Sequence, residues 1–327
     1  MAVYTQLGAE TLAEIIAEFD VGTLVSAKGI AEGVSNSNWL IETRRKDAPE
    51  TFFILTMYEQ RTNVEELPFF LGLLDHLAER GCPVPRTIHD RENRAFRFHE
   101  GKALALIEFL PGVSVSHPTP AQAHAVGAAL AKIHLAAADY PANRANGLGL
   151  QEWKALAADC GREGLASIDP GLADLIDNEL DLLERKWPAS LPHSVIHADL
   201  FPDNVLMLGN EVSGLIDFYF ACTDITAYDV AVTHAAWCFS DDGTRFDPAL
   251  SKALLHGYET LRPLSVQERA ALPLLGRGAS TRFLMTRAYD WMHTPADAIV
   301  TRKDPMAFAR RLEFYSDPAN AAIFEAS

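Results

Sequence analysis

The hydrophobic pattern of this chain changes period at one place, near residues 109–112, and that change limits the folds open to it. Up to residue 108 apolar residues recur in short runs: TLVSAKGI, NWLIET, TFFILTMY, RAFRFH and KALALIEFL. Such runs, bounded by turn residues, read as strands. The charged RRKDAPE joins the second run to the third, and Glu100-Gly101 joins the last two. Two helical patterns accompany them. AETLAEIIAEF ends near Gly22, and LPFFLGLLDHLAERG follows a capping-box pattern at Thr62 and Glu65, with Pro68 in the tolerant first turn. After Pro111-Gly112 the spacing is mostly helical, through TPAQAHAVGAALAKIHLAAA, GLADLIDNELDLLERKW, AYDVAVTHAAWCF and two or three further segments. One β-rich island, SVIHADLFPDNVLMLGNEVSGLIDFYF, interrupts them and contains a hairpin signal at Gly209-Asn210. The expected fold is α+β. Residues 1–108 form a small antiparallel sheet with one long helix, and residues 109–327 form a large, mainly helical part.

Composition narrows the partners. The net charge of −16 argues against nucleic acid, whose phosphates need a basic face. No apolar run approaches the length of a membrane span, and the first residues lack the basic and apolar blocks of a signal peptide. Cys82, Cys160, Cys222 and Cys238 show no metal-ligand spacing and read as reduced core thiols. The expectation is a soluble, cytoplasmic protein acting on a small molecule.

The β-rich island carries the chemistry. His197-Ala198-Asp199-Leu200-Phe201-Pro202-Asp203-Asn204 has the form H-x-D-x-x-x-x-N, and thirteen residues after Asn204 an apolar strand ends in Asp217-Phe218. A loop that returns after five residues can aim an aspartate at a reacting hydroxyl and an asparagine at a metal ion. The hairpin after it brings a second carboxylate to the same cation. Magnesium takes hard oxygen ligands and shares its shell between one or two carboxylates and substrate phosphates. Roughly one chain of this length in several hundred would show both patterns by chance.

At these residues the chain resembles the kinase-like phosphotransferases, specifically the aminoglycoside-phosphotransferase and choline-kinase branch. The run VIHADLFPDNVLMLGNEVSGLIDFYFACTDITAYDVA, with KGIAEGVSNSNWLIET and TRAYDW, is closer still to bacterial homoserine kinases of that branch. The resemblance implies a two-lobed protein-kinase-like fold that transfers the γ-phosphoryl group of ATP to a hydroxyl of an amino acid, homoserine, on the route to threonine. It further implies Asp199 as base and Asn204 and Asp217 as magnesium ligands. Gly29, Gly33, Ser35, Asn36, Ser37 and Asn38 would lie over the ATP phosphates, and Glu108 to Leu110 would read adenine. His197 and Asp229 would hold the loop. Arg282, Arg287 and Asp290, on one predicted helix, are the candidate substrate contacts. Trp237, Trp291 and Tyr228 read as core.

One departure stands out. The third strand of this fold usually carries a lysine for the phosphates, and TFFILTMYE places Thr56 there. Lys28 and Arg61 are candidate replacements. Two other readings remain open from sequence: a kinase of the same fold for an aminoglycoside, methylthioribose or choline, and a non-catalytic nucleotide-binding module.

Overall fold

In a computed structural model describing residues 5–30, 36–59, 63–294 and 302–325, the chain divides into two compact units, Met1–Pro111 and Gly112–Ser327. The first contains α1 (Ala9–Ala17), β1 (Thr23–Ile30), β2 (Asn36–Arg44), β3 (Glu50–Tyr58), α2 (Leu67–Glu79), β4 (Thr87–Ile88), β5 (Arg97–His99) and β6 (Lys102–Glu108). These six strands form one sheet in the order β1-β2-β3-β6-β4, with β5 also paired to β6. Every pairing is antiparallel, and the register sets Asn38 opposite Thr56 and Thr56 opposite Ala105.

Alternation along the strands gives the sheet two different faces. Trp39, Ile41, Phe53, Leu55, Met57, Leu104 and Leu106 share one face and pack with Leu12, Ile15 and Ile16 of α1 and with Phe19 after it. Full burial of each such side chain contributes about 1.5–3 kcal/mol. The other face carries Lys28, Asn38, Leu40, Ile54 and Thr56. The turn between β5 and β6 has Glu100 at φ 49° and Gly101 at φ 80°, the two positive values a two-residue hairpin needs.

One expectation for this unit changes. β5 begins at Arg97, not at Arg94. Asp90 is buried and captures both arginines, with Arg94 Nε and Arg97 Nη1 each 2.8 Å from its Oδ2. The capping residue Thr62 lies outside the described residues. Asn63 instead accepts from the Glu65 amide at 3.1 Å and caps the turn that leads into α2.

The second unit contains α3 (Pro120–Ala136), α4 (Leu150–Ile168), α5 (Leu172–Lys186), β7 (His193–Ile196), β8 (Val205–Leu208), β9 (Glu211–Leu215), β10 (Cys222–Ile225), α6 (Thr226–Trp237), α7 (Pro248–Glu259), α8 (Val266–His293) and α9 (Met306–Ser316). β7 pairs with β10, and β8 with β9 across Gly209. All twelve residues of α6 are buried, which explains why its sequence shows no polar face. α3 and α7 approach backbone to backbone. A Cβ on Gly127 would lie 2.1 Å from the Leu254 carbonyl oxygen, and one on Gly257 would lie 2.0 Å from that of His124. The predicted STRFLMTRAYDWM helix is the second half of α8, which opens 14 residues earlier at a capping box between Ser265 and Glu268.

α4 has no counterpart in the sequence reading. Its buried residues are Trp153, Cys160 and Leu165, and Gly161 breaks it at φ 64° and ψ 157°. Trp291 departs from its expected core place and is 37% exposed, whereas Trp237 and Tyr228 are buried. The four cysteines are free and buried. Among the described residues no helix is long and apolar enough to cross a membrane.

Candidate active site

The segment between β7 and β8 leaves both ladders, so its backbone groups need other partners. Side chains supply them. The amides of His197 and Ala198 donate to the two oxygens of Asp229, at 2.7 and 2.8 Å. Arg282 Nη1 donates to the Ala198 carbonyl. Asn204 Nδ2 donates to the Asp199 carbonyl at 2.8 Å, and Trp237 Nε1 to that of Leu200 at 2.9 Å. These contacts hold Ala198 at φ 64°, in the left-handed region where an L-residue is strained.

Asp229 sits on buried α6. His134 of α3 donates from Nε2 to its Oδ2 at 2.9 Å, and His134 Nδ1 lies 2.8 Å from the Tyr258 hydroxyl of α7. Burial opposes ionisation of Asp229, but the His134 hydrogen bond and charge and the His197 amide outweigh it, holding the carboxyl below its ordinary pKa. His197 is fully buried and donates from Nε2 to the Ile216 carbonyl at 3.0 Å, while its Nδ1 accepts from the Asp199 amide at 3.2 Å. Burial pushes its pKa down. It is therefore a neutral spacer between the loop and β9.

Asp199 points away from this scaffold and keeps 18% of its side chain exposed. Burial raises its pKa, the Arg282 charge opposes the rise and Asp217 adds to it, leaving the carboxyl at about 7. Asn204 Nδ2 also reaches Asp199 Oδ2 at 3.2 Å. With its amide nitrogen so occupied, the Asn204 oxygen is directed elsewhere. The Ile216 amide donates to the Asn204 carbonyl at 3.0 Å and ties the next residue, Asp217, to the loop. Asp217 adopts φ 64° and is exposed. The protein around its carboxyl still strips hydration and raises its pKa, opposed by the Tyr219 amide. An amide oxygen and a carboxylate, both hard donors and both near Asp199, suit a magnesium ion that would share its shell with phosphate and water.

The candidate substrate residues separate. Arg282 is 1% exposed, with Nη2 4.0 Å from Asp199 Oδ1 and its guanidinium over the Phe283 ring at 4.6 Å. Arg287 is half-buried, donates to the Asp304 carbonyl at 3.2 Å and stacks on Phe308 at 4.5 Å. Burial lowers its pKa, with Asp304 and Asp199 acting against the shift. Asp290 is exposed one turn further along α8. Lys303, which the sequence reading passed over, lies 3.6 Å from Asp203 and also acts on the Asp199 charge.

In the first unit, Gly33, Ser35 and Arg61 lie outside the described residues. Gly29 is exposed near the end of β1. Asn36 and Ser37 are buried at the start of β2, and Ser37 Oγ donates to Glu59 Oε1 at 2.7 Å. Thr56 is buried and donates to Asn38 Oδ1 at 2.8 Å. Glu108 accepts from the Arg86 amide at 3.2 Å, and Leu110 is half-buried. Lys102 makes an ion pair with Glu59 at 2.5 Å. By the alternation of β3 and β6 both belong to the core side, so Lys102 does not replace the absent lysine, whereas Lys28 shares the Thr56 side.

Residues 26–264 match the phosphotransferase enzyme family. The chain belongs to that family. Among its phosphotransferase relatives are the homoserine kinase of Paramagnetospirillum magneticum, 48% identical over 96% of both chains, and that of Gluconobacter oxydans, 49% identical over 98% of this chain and 100% of the other. That of Brucella canis is 48% identical over 99% and 97%. Among solved structures, an amicoumacin kinase in complex with AMP-PNP, Ca2+ and Ami aligns with a TM-score of 0.71 at 14% identity, over 94% of this chain and 93% of the other. A spectinomycin phosphotransferase in complex with ADP and spectinomycin gives 0.68 at 15%, over 98% of each. The fold is thus that of the protein-kinase-like phosphotransferases, and the chain is an enzyme of phosphoryl transfer. What motif spacing could not disclose in this phosphotransferase is the supporting ring of His134, Tyr258, Trp237 and Arg282. Trp237 and Arg282 meet the loop from 37 and 84 positions away in the chain, and His134, backed by Tyr258, supports it through Asp229.

Proposed function

We propose that this enzyme transfers the γ-phosphoryl group of ATP to the side-chain hydroxyl of L-homoserine, giving O-phospho-L-homoserine and ADP, a cytoplasmic step toward threonine. The observation that carries this reading is identity of 48–49% to homoserine kinases across essentially the whole length of both chains. Asp199 accepts the proton of the hydroxyl as its oxygen attacks phosphorus. A carboxyl near 7 is ionised in a substantial fraction at neutral pH and basic enough to serve. Asn204 and Asp217 would hold magnesium, which when bound with ATP would neutralise charge on the transferring phosphate. Gly29, Asn36, Ser37 and Asn38, with Gly33 and Ser35, approach the nucleotide phosphates, and Glu108 to Leu110 contribute to the adenine site.

The electrostatics of the second unit favour an acceptor that carries a carboxylate. Arg282, Arg287 and Lys303 all act on the Asp199 charge. A polycationic aminoglycoside would meet like charge there, whereas the amino acid can set its carboxylate toward Arg287 and its ammonium toward Asp290. The test is ADP release with magnesium-ATP and a panel of L-homoserine, an aminoglycoside, methylthioribose and choline. L-homoserine should give the highest kcat/KM. Faster turnover of another acceptor would replace the substrate, and no turnover of any would leave a nucleotide-binding module.

A further inference from the structure

Arg282 reads from sequence as a substrate contact on α8, yet the folded chain withdraws it from solvent. It is 1% exposed, its Nη1 donates to the carbonyl of left-handed Ala198, and its Nη2 stands 4.0 Å from Asp199 Oδ1. Its guanidinium lies between the rings of Phe283, at 4.6 Å, and Phe220, at 5.4 Å. Its Nε is buried without a hydrogen-bond partner. A buried cation with an unmet donor costs free energy, and an apolar side chain of the same volume is often the more stable choice. Besides its ring contacts and the buried Tyr228 hydroxyl beside it, Arg282 meets two consecutive residues of the loop, the peptide oxygen of Ala198 and the carboxylate of Asp199. A planar, forked group can fix both at once, which a point charge cannot do.

We propose that Arg282 is a positioning residue: it fixes the Ala198 peptide and the Asp199 carboxylate together, so that the aspartate faces the acceptor hydroxyl, and it does not bind substrate itself. This rests on the functional reading above only in naming Asp199 as the group that meets the hydroxyl. A misplacement of about 1 Å at a reacting group costs on the order of 100-fold in rate. Losing the fork should therefore appear in turnover and leave the binding of either substrate nearly unchanged.

The experiment compares wild type, R282M and R282K as full-length enzyme with magnesium-ATP and whichever acceptor the wild type turns over best. Circular dichroism monitors folding, and amide hydrogen exchange of residues 197–204 is followed without ligands. R282M keeps the volume and loses the fork. Its kcat should fall roughly 10- to 100-fold with both KM values within about threefold of wild type, and exchange in the loop should quicken. R282K should recover part of the turnover. Folded R282M with wild-type kcat and loop exchange overturns the proposal. So does a loss confined to the KM of the acceptor, which would return Arg282 to the substrate site. Should R282M fail to fold, R282K decides: reduced kcat with unchanged KM values supports positioning, and wild-type kcat refutes it. Failure of L-homoserine as acceptor would sink the functional reading alone, because the exchange result and the wild-type-to-variant ratio do not depend on which acceptor is used.

Discussion

Asp199 is almost isosteric with asparagine, so D199N tests chemistry apart from shape. The variant should fold, bind ATP and lose roughly two to four orders of magnitude in turnover. D217A should instead raise the magnesium concentration needed for half-maximal activity, measured by titration at fixed ATP. Near-normal turnover in D199N would remove the base, and an unchanged magnesium curve in D217A would remove the metal ligand. The missing strand lysine poses a separate question. Thr56 can offer the phosphates one neutral hydrogen bond, and its hydroxyl already donates to Asn38. Lys28 shares that side of the sheet and brings a charge. A charge-assisted contact is roughly twice as strong as a neutral one, so K28A should raise the KM for ATP more than T56A does. The reverse order in ATP titrations would mean that the hydroxyl has a specific task. At this scale the sequence was informative where function depends on local spacing, as from His197 to Asn204. It named Arg282 as a substrate contact but gave no sign that its side chain reaches the Ala198 oxygen, because no pattern of residue types marks a carbonyl.

Helix packing supplies the next test. α3 and α7 approach so closely at Gly127 and Gly257 that any Cβ would collide with a facing carbonyl. The helices carry His134 and Tyr258, the two residues behind Asp229. G257A should therefore cost about 1–3 kcal/mol and lower the thermal midpoint by several degrees. G147A should leave it near wild type, because a Cβ there meets nothing within 4 Å. Equal midpoints for the two variants would show that the helix pair can separate at little cost. Among the elements, β1, β2, β3 and β6 were legible from their periodicity and turn residues. β4 was not, since it is two residues long and is secured by side chains: Thr87 Oγ1 donates to the Leu71 carbonyl at 3.0 Å, and the Thr87 amide to Asp75 Oδ1 at 3.1 Å. α4 was not legible as one helix because Gly161, at φ 64°, interrupts the helical spacing of Leu150, Trp153, Leu156 and Cys160.

For the molecule as a whole, buried ionisable groups shape the response to acid. His234 on α6 is fully buried between the Tyr315 hydroxyl at 2.6 Å and Ser251 Oγ at 2.8 Å, and burial lowers its pKa to about 3. The unfolded chain takes up that proton below about pH 6.5, and the native protein does not until about pH 3. Stability is therefore full above 6.5 and falls between 6.5 and 3, by up to about 1.4 kcal/mol per pH unit from this one group. Asp199 acts the other way: its carboxyl, raised to about 7, holds a proton in the native state that the unfolded chain has released, so its contribution is largest below about pH 4 and is lost as the pH rises toward 7. The two slopes oppose each other between about pH 6.5 and 4. The informative measurement is the difference in urea stability between wild type and H234Q without magnesium. H234Q should be less stable at pH 7, and its deficit should shrink at pH 5. A deficit independent of pH would mean that His234 takes up its proton in the native fold as readily as in the unfolded chain.

The ring of contacts around the loop also has a direction in time. Asp229 follows His197 by 32 residues, and Arg282 follows Ala198 by 84. A ribosome making 5–20 residues per second needs roughly 4 to 17 s to add those 84. For most of that interval, once Asp217 is added, the nascent chain contains Asp199, Asn204 and Asp217 but has no Arg282 to close the ring around them. A chain released before Arg282 is added would carry the full sequence motif with its Ala198 carbonyl unheld.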